Sequence, residues 1–186
     1  MTNEVKNPWT TLASEDVHES PWIKVTRHDV LNPAGQPSSY STVHFKNLAV
    51  GVIPLDDDYN TWIVGQYRYP VNTYSWEIPE GGGPQGETPI DTAQRELLEE
   101  TGIEAARWDK FMEFHTSNSA TDEHVHLFVA RDLTFHEARP DEDEDIEVRK
   151  IPFEELYQMV LRNEVWDSLT IAGVLKLKVL IDEERI

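Results

Sequence analysis

The sequence predicts an α/β (α+β) sandwich with a small antiparallel sheet at its N-terminal end. Three observations carry that expectation. Short strand-like runs crowd residues 22–78, one strongly capped helix occupies 88–102, and further strands after it give way to two helices near the end of the chain. Strands and helices mixed in this order suit stacked layers rather than a doubly wound parallel sheet. At 186 residues the chain can bury a substantial core, with 1–45 as an appended group of strands and 46–186 as the main domain.

The first dozen residues are polar and are expected to be loose. From Trp22 to Phe45 two strands are expected, joined at Asn32-Pro33-Ala34-Gly35, where Pro and Gly mark a turn. Leu48 to Ile53 is a short apolar run of the buried-strand type. Asp56-Asp57-Asp58 makes a turn, Thr61 to Arg68 the next strand, and Ser75 to Ile78 leads into a glycine-rich loop. Beyond the capped helix, Trp108–His115, Val125–Ala130 and Glu147–Ile151 read as strands. Pro152 opens a helix, and the last helix runs from about Ser168 to Glu183, with Ile171, Val174, Leu175 and Leu180 as its buried stripe.

Composition narrows the partners. A formal charge of −19 disfavours a long nucleic acid, whose phosphates would be repelled, but not a small phosphorylated substrate neutralised by metal. Without cysteine there is no disulfide framework and no thiolate chemistry. The opening MTNEVKNPWT lacks a signal-peptide layout, and no apolar run approaches the ~20 residues that span a bilayer. A cytoplasmic protein without a membrane partner is the expectation.

The chemistry is concentrated between Gly81 and Ile103, GGGPQGETPIDTAQRELLEETGI. Thr88 is a good N-cap, Pro89 suits the first helical position, Asp91 sits where a capping box wants an acid, and Gly102 supplies the stop. Within that helix Glu96, Glu99 and Glu100 stand at i, i+3 and i+4 and share a face. Like charges so placed repel by about 0.2–0.5 kcal/mol per pair. A cation converts this cost into binding, and an all-oxygen donor set points to Mg2+, with Mn2+ as a substitute.

Gly81, Glu87, Arg95-Glu96-Leu97 and Glu99-Glu100-Thr101-Gly102-Ile103 together reproduce every fixed position of G-x5-E-x7-R-E-U-x-E-E-x-G-U, U being a bulky aliphatic residue. The chain thus resembles the Nudix hydrolases. Beyond the box, Pro21–Val25, Asn32–Gly35, Gly65–Pro70 and Glu77–Gly82 resemble ADP-ribose pyrophosphatases and related nucleoside diphosphate sugar hydrolases. The resemblance implies a metal-dependent enzyme that splits a nucleotide sugar into a nucleoside monophosphate and a sugar phosphate. It implies a homodimer built by the N-terminal strands, with each active site drawing on both subunits. GDP-mannose- or UDP-glucose-preferring hydrolysis and a non-catalytic ADP-ribose sensor are the alternatives; the intact Glu96, Glu99 and Glu100 disfavour the sensor.

The resemblance also assigns parts. Glu96, Glu99, Glu100 and the Glu80 carbonyl would hold metal. Gly81, Glu87, Arg95 and Gly102 would shape the box, with Arg95 orienting its glutamates through Glu87. Arg68 and Glu77 would lie at the substrate, Arg68 on the diphosphate, and Trp22 and Tyr40 would sandwich the base. The water-activating base would come from the acidic run Asp141–Asp145, Glu144 first and Glu142 second. The chain departs from the usual pattern in two places: Glu80 replaces an alanine, and Ser117-Asn118-Ser119 replaces Ser-Pro-Gly.

Overall fold

The computed structural model describes residues 6–84, 86–139 and 145–186. They form two compact units.

The first unit comprises the described residues through Asn47 together with His115–Glu123. Its sheet has the order β1 (Thr10–Glu19), β2 (Ile23–Leu31), β3 (Pro37–Phe45), antiparallel throughout. β2 and β3 pair without interruption from Ile23↔Phe45 to Leu31↔Pro37. The connecting turn is held by the Asn32 carboxamide oxygen, which accepts from the Ala34 and Gln36 amides at 3.0 Å, and by Gly35 at φ 76°, a conformation that favours glycine.

While residues 1–5 lie outside the described residues, β1 corrects the expectation of loose opening residues at Thr10–Leu12. All ten of its residues are exposed, so it shows no apolar alternation that could betray a strand. Backbone pairing to β2 holds it, aided by cross-strand contacts such as Thr26 to Asp16 (2.6 Å) and Arg27 to Glu15 (2.9 Å). The segment His115–Glu123 joins this unit where the Val43 amide donates to the Ala120 carbonyl and the Phe45 amide to the Asp122 carboxylate, both at 2.9 Å. Among the unit's described large apolar residues only Val30 is buried, while Leu12, Val17 and Trp22 are exposed.

The second unit stacks two sheets and three helices. One sheet has the order β10 (Glu147–Pro152), β5 (Asn60–Arg68), β6 (Thr73–Glu77). The other runs β7 (Glu80–Gly83), β4 (Leu48–Pro54), β9 (His124–Phe135), β8 (Ile103–His115). β4 pairs antiparallel with β7 and parallel with β9. Its continuous apolar run follows from burial on both faces. Val50 and Val52 pack with Ala93 and Leu97 of α1 (Pro89–Thr101), and with Ile103 and Phe128. Ile53 points into a second core with Leu127, Leu156 of α2 (Phe153–Leu161), and Val174 and Leu177 of α3 (Ser168–Asp182).

α3 buries Thr170, Gly173, Val174, Leu177 and Leu180, an i, i+3, i+4, i+7, i+10 series. Leu175, expected on that stripe, lies a quarter-turn away and is exposed, and Ile171 is only partly covered. Where the helix passes the sheet, a Cβ on Gly173 would stand 3.1 Å from Leu127, so glycine permits the close approach. No helix among the described residues is long and apolar enough to cross a membrane.

Candidate active site

α1 is set at both ends as its sequence demands. The Thr88 hydroxyl oxygen accepts from the Asp91 amide (3.3 Å) and the hydroxyl donates to the Asp91 carboxylate (2.6 Å). Gly102 closes the helix at φ 68°, its amide donating to the Leu98 carbonyl. Along its length the helix lies against β7. The Glu100 carboxylate accepts from the Glu80 amide at 3.0 Å. A Cβ on Gly81 would fall 2.2–2.5 Å from the Glu96 carboxylate, and one on Gly83 would meet Thr92 at 2.1 Å. The glycines of the box are therefore a steric necessity: acidic side chains rest directly on the strand backbone.

Burial makes those acids consequential. Glu96 is 9 % exposed and Glu100 only 1 %, and charges so placed need compensation. Arg95 gathers the group, reaching Glu96 (2.9 Å), Glu99 (2.8 Å), Glu87 (3.3 Å) and the Gly82 carbonyl (3.0 Å). Glu87 also accepts from the Thr92 hydroxyl at 2.8 Å, and its hydrogen bonds from Arg95 and Thr92 hold its carboxyl below the usual range. One guanidinium among four carboxylates leaves the site strongly negative. Its donors are hard oxygens concentrated on one helix face, a set that fits a divalent cation of the magnesium class.

A second cluster adjoins the first. Arg68 Nε reaches both Glu77 carboxylate oxygens at 3.0 Å, and its Nη2 reaches Glu77 at 2.5 Å and Glu80 at 2.9 Å. Glu77, expected at the substrate, is only 2 % exposed, with its carboxylate engaged by Arg68. Burial, then the neighbouring Asp167 and Glu77 carboxylates, push the Glu80 carboxyl well above its ordinary value despite the Arg68 contact. A protonated Glu80 resolves an apparent anomaly: its buried Oε2 has no donor partner among the described residues, but as a hydroxyl it can donate to Asp167. Asp167 in turn caps α3, accepting from the Thr170 amide at 2.6 Å. The sequence assigned only the Glu80 backbone a part. The side chain's pairing with Asp167 escaped because the two residues lie far apart along the chain.

Glu142 and Glu144 lie outside the described residues. In the first unit, Tyr40 pairs with His28 in the sheet, whereas Trp22 precedes Ile23 at the sheet's end, roughly 20 Å along β2. That span far exceeds the roughly 4.5–7 Å at which rings make contact, so the two aromatics of one chain do not close on a single base. Trp22 is 67 % exposed. Tyr40 instead meets Trp9 edge-to-face, with centroids 5.4 Å apart, and its hydroxyl donates to the Ser119 carbonyl. Trp9, His28, Tyr40 and Thr42 line a cavity of about 280 Å3. Trp9 immediately precedes β1, in the polar opening stretch that offers no strand pattern.

The NUDIX domain family matches residues 45–171, and the nucleoside diphosphate sugar hydrolase N-terminal domain matches residues 9–43. An ADP-ribose pyrophosphatase of Bacillus subtilis is 35 % identical over 179 residues, covering 94 % of this chain and 96 % of its own. A methanol dehydrogenase activator of Bacillus methanolicus is 35 % identical over 166 residues, 88 % of this chain and 89 % of its own. A crystal structure of an ADP compounds hydrolase superposes with a TM-score of 0.85 at 20 % identity, covering 98 % of this chain and all of that one, which speaks for the fold. With a complete box, the glycine-packed acidic helix it encodes and a domain match over most of the chain, this protein belongs to the Nudix hydrolase family.

Proposed function

We propose that the protein hydrolyses the diphosphate linkage of nucleoside diphosphate sugars, ADP-ribose among the best, releasing a nucleoside monophosphate and a sugar phosphate. The observation that carries this reading is the pair of buried carboxylates, Glu96 and Glu100, pressed against the β7 backbone and held by Arg95 and the Glu80 amide. The name of the Bacillus subtilis relative supports the substrate. Magnesium, or manganese, supplies neutralisation of the diphosphate charge and acidification of water.

The chain's own residues divide the remaining work. Glu96, Glu99, Glu100 and the Glu80 carbonyl hold the cations. Arg95 fixes the glutamates in register, a positioning role. Glu77 does the same for Arg68, whose guanidinium is partly exposed and meets the diphosphate. Glu144, with Glu142 as second choice, takes the proton from the attacking water as general base. Trp22 and Tyr40 stack on the base, contributed by different copies in a homodimer. Exposed apolar residues around one buried valine among the first unit's described residues suit an unpaired dimer sheet.

A panel of ADP-ribose, GDP-mannose, UDP-glucose, diadenosine polyphosphates and deoxynucleoside triphosphates, incubated with magnesium and resolved by product, tests the proposal. Cleavage of several nucleotide sugars with poor use of triphosphates is the expected pattern. Turnover restricted to triphosphates would refute it.

A further inference from the structure

We propose that Glu113, His124 and His126 form a second metal site, which takes a divalent transition-metal ion of the zinc class. All three lie outside the Nudix box in sequence, on β8 and β9. His124 and His126 stand at i and i+2 on β9 and so face the same side of the sheet, while Val125 and Leu127 between and beyond them turn into the opposite core. Glu113 comes from β8, the neighbouring strand. One ligand atom from each of the three lies within 4.8 Å of the others, and the two imidazole centroids are 4.5 Å apart.

The local geometry favours an ion over a simple polar contact. His126 Nδ1 is buried and has no hydrogen-bond partner among the described residues. It points at Glu113 Oε2 from 3.6 Å, too far for a hydrogen bond. Two ligands of a tetrahedral zinc, each at 2.0–2.2 Å, stand about 3.4 Å apart, so this gap suits a shared cation. A ligand atom of His124 lies within 4.8 Å of both, so a third donor is at hand.

The donor set also separates this site from the one on α1. Two imidazoles and a carboxylate suit zinc, cobalt(II) or nickel, whereas the α1 carboxylates suit magnesium. Three protein ligands leave a fourth position for solvent, on the side where Glu113 is half-exposed. In the sheet His126 is opposite Val50, and Val50 opposite Gly81, so β4 lies between the histidines and the strand on which Glu96 rests. Ala93 and Leu97 pack with Val50 there, adding an apolar partition. Lys110 is the competitor: its ammonium pairs with Glu113 and must yield when a cation arrives. Such exposed pairs contribute little, so the displacement is cheap.

The test uses the full-length protein, stripped with chelator and titrated with cobalt(II) while visible absorption is recorded, then with zinc. Wild type should bind about one equivalent of cobalt with the intense band of a low-coordinate, nitrogen-containing site, and zinc should abolish the band. Glu100→Gln, which removes a carboxylate from the other site, should retain it. His124→Gln and His126→Asn should each weaken binding by about tenfold or more, since losing a ligand costs no less than losing a supporting contact. Lys110→Gln should strengthen it. Thermal melting without metal checks that each variant folds, and if His126→Asn does not, His124→Gln decides. Absence of the band in wild type would overturn the proposal. So would a band that survives the histidine changes, or one that disappears in Glu100→Gln while persisting in His124→Gln.

Discussion

Replacing Gly81 with alanine adds one methyl group at the point where strand and acidic helix meet. Its Cβ would lie 2.2 Å from Glu96 Cδ and 2.4 and 2.5 Å from the two oxygens, where ordinary contact begins near 3.4 Å. The backbone raises no objection, because Gly81 is not among the glycines at positive φ. The whole cost therefore falls on the contact. Glu96 must retreat by roughly 1 Å, and a displacement of that size at a reacting centre costs on the order of a hundredfold in rate. Stability should change less, within the roughly 1–3 kcal/mol of an overpacked site, because a carboxylate can swing where a core residue cannot. Initial rates of ADP-ribose hydrolysis across magnesium concentrations, set beside thermal melting, separate the two effects. The expected result is a hundredfold slower enzyme with a raised magnesium requirement and a native-like melting curve. Adding Glu96→Asp, which draws the carboxylate back by one methylene, should recover part of the loss, so the two changes should be less than additive. A Gly81→Ala protein with wild-type turnover and unchanged magnesium dependence would refute the reasoning, since Glu96 could then move freely without consequence.

Thr88→Ala removes the α1 cap and should cost about 1 kcal/mol in denaturant unfolding while leaving turnover per folded molecule intact. Glu80→Gln should shift the pH dependence of stability. The native carboxyl keeps its proton above the ordinary 4.5, where the unfolded chain has released it, so wild-type stability falls as pH rises from there towards the folded-state value. The non-titrating glutamine escapes this loss, and its stability relative to wild type should improve as unfolding is followed from about pH 4 to about pH 8. Trp22→Ala should weaken binding of several nucleotide sugars alike, by about 1–3 kcal/mol, if it stacks on the base. Mixing Trp22→Ala with Tyr40→Ala subunits should then restore one intact site per mixed dimer, and no recovery of affinity on mixing would place the two aromatics outside a shared site.

How much was legible depended on whether the governing interaction was local. α1 could be read almost entirely, because Thr88, Pro89, Asp91 and Gly102 act within a turn of where they stand and Glu96 and Glu100 are related by helical spacing. The turn at Asn32–Gly35 and the buried run of β4 were equally plain. β1 was not, since a strand exposed on both faces needs no alternation and is fixed by backbone pairing and polar cross-strand contacts. Leu175 was misplaced because α3 is apolar nearly all round, so its inward face is chosen by the sheet it meets. The Arg68–Glu77–Glu80–Asp167 cluster brings together strands and a helix cap from distant parts of the chain, and only the fold reveals that Arg68 is held by acids and that Glu77 is sealed beneath it.

The central claim is that carboxylates on α1 hold the cations that drive diphosphate hydrolysis, and Glu100→Gln addresses it most directly. Glu100 is 1 % exposed and accepts from the Glu80 amide, and glutamine preserves its volume and that hydrogen bond while removing the charge. Turnover of ADP-ribose at saturating magnesium should fall by about a hundredfold or more, with AMP and ribose 5-phosphate as the wild-type products and the variant's fold unchanged. Near wild-type turnover by a folded Glu100→Gln protein would contradict the account.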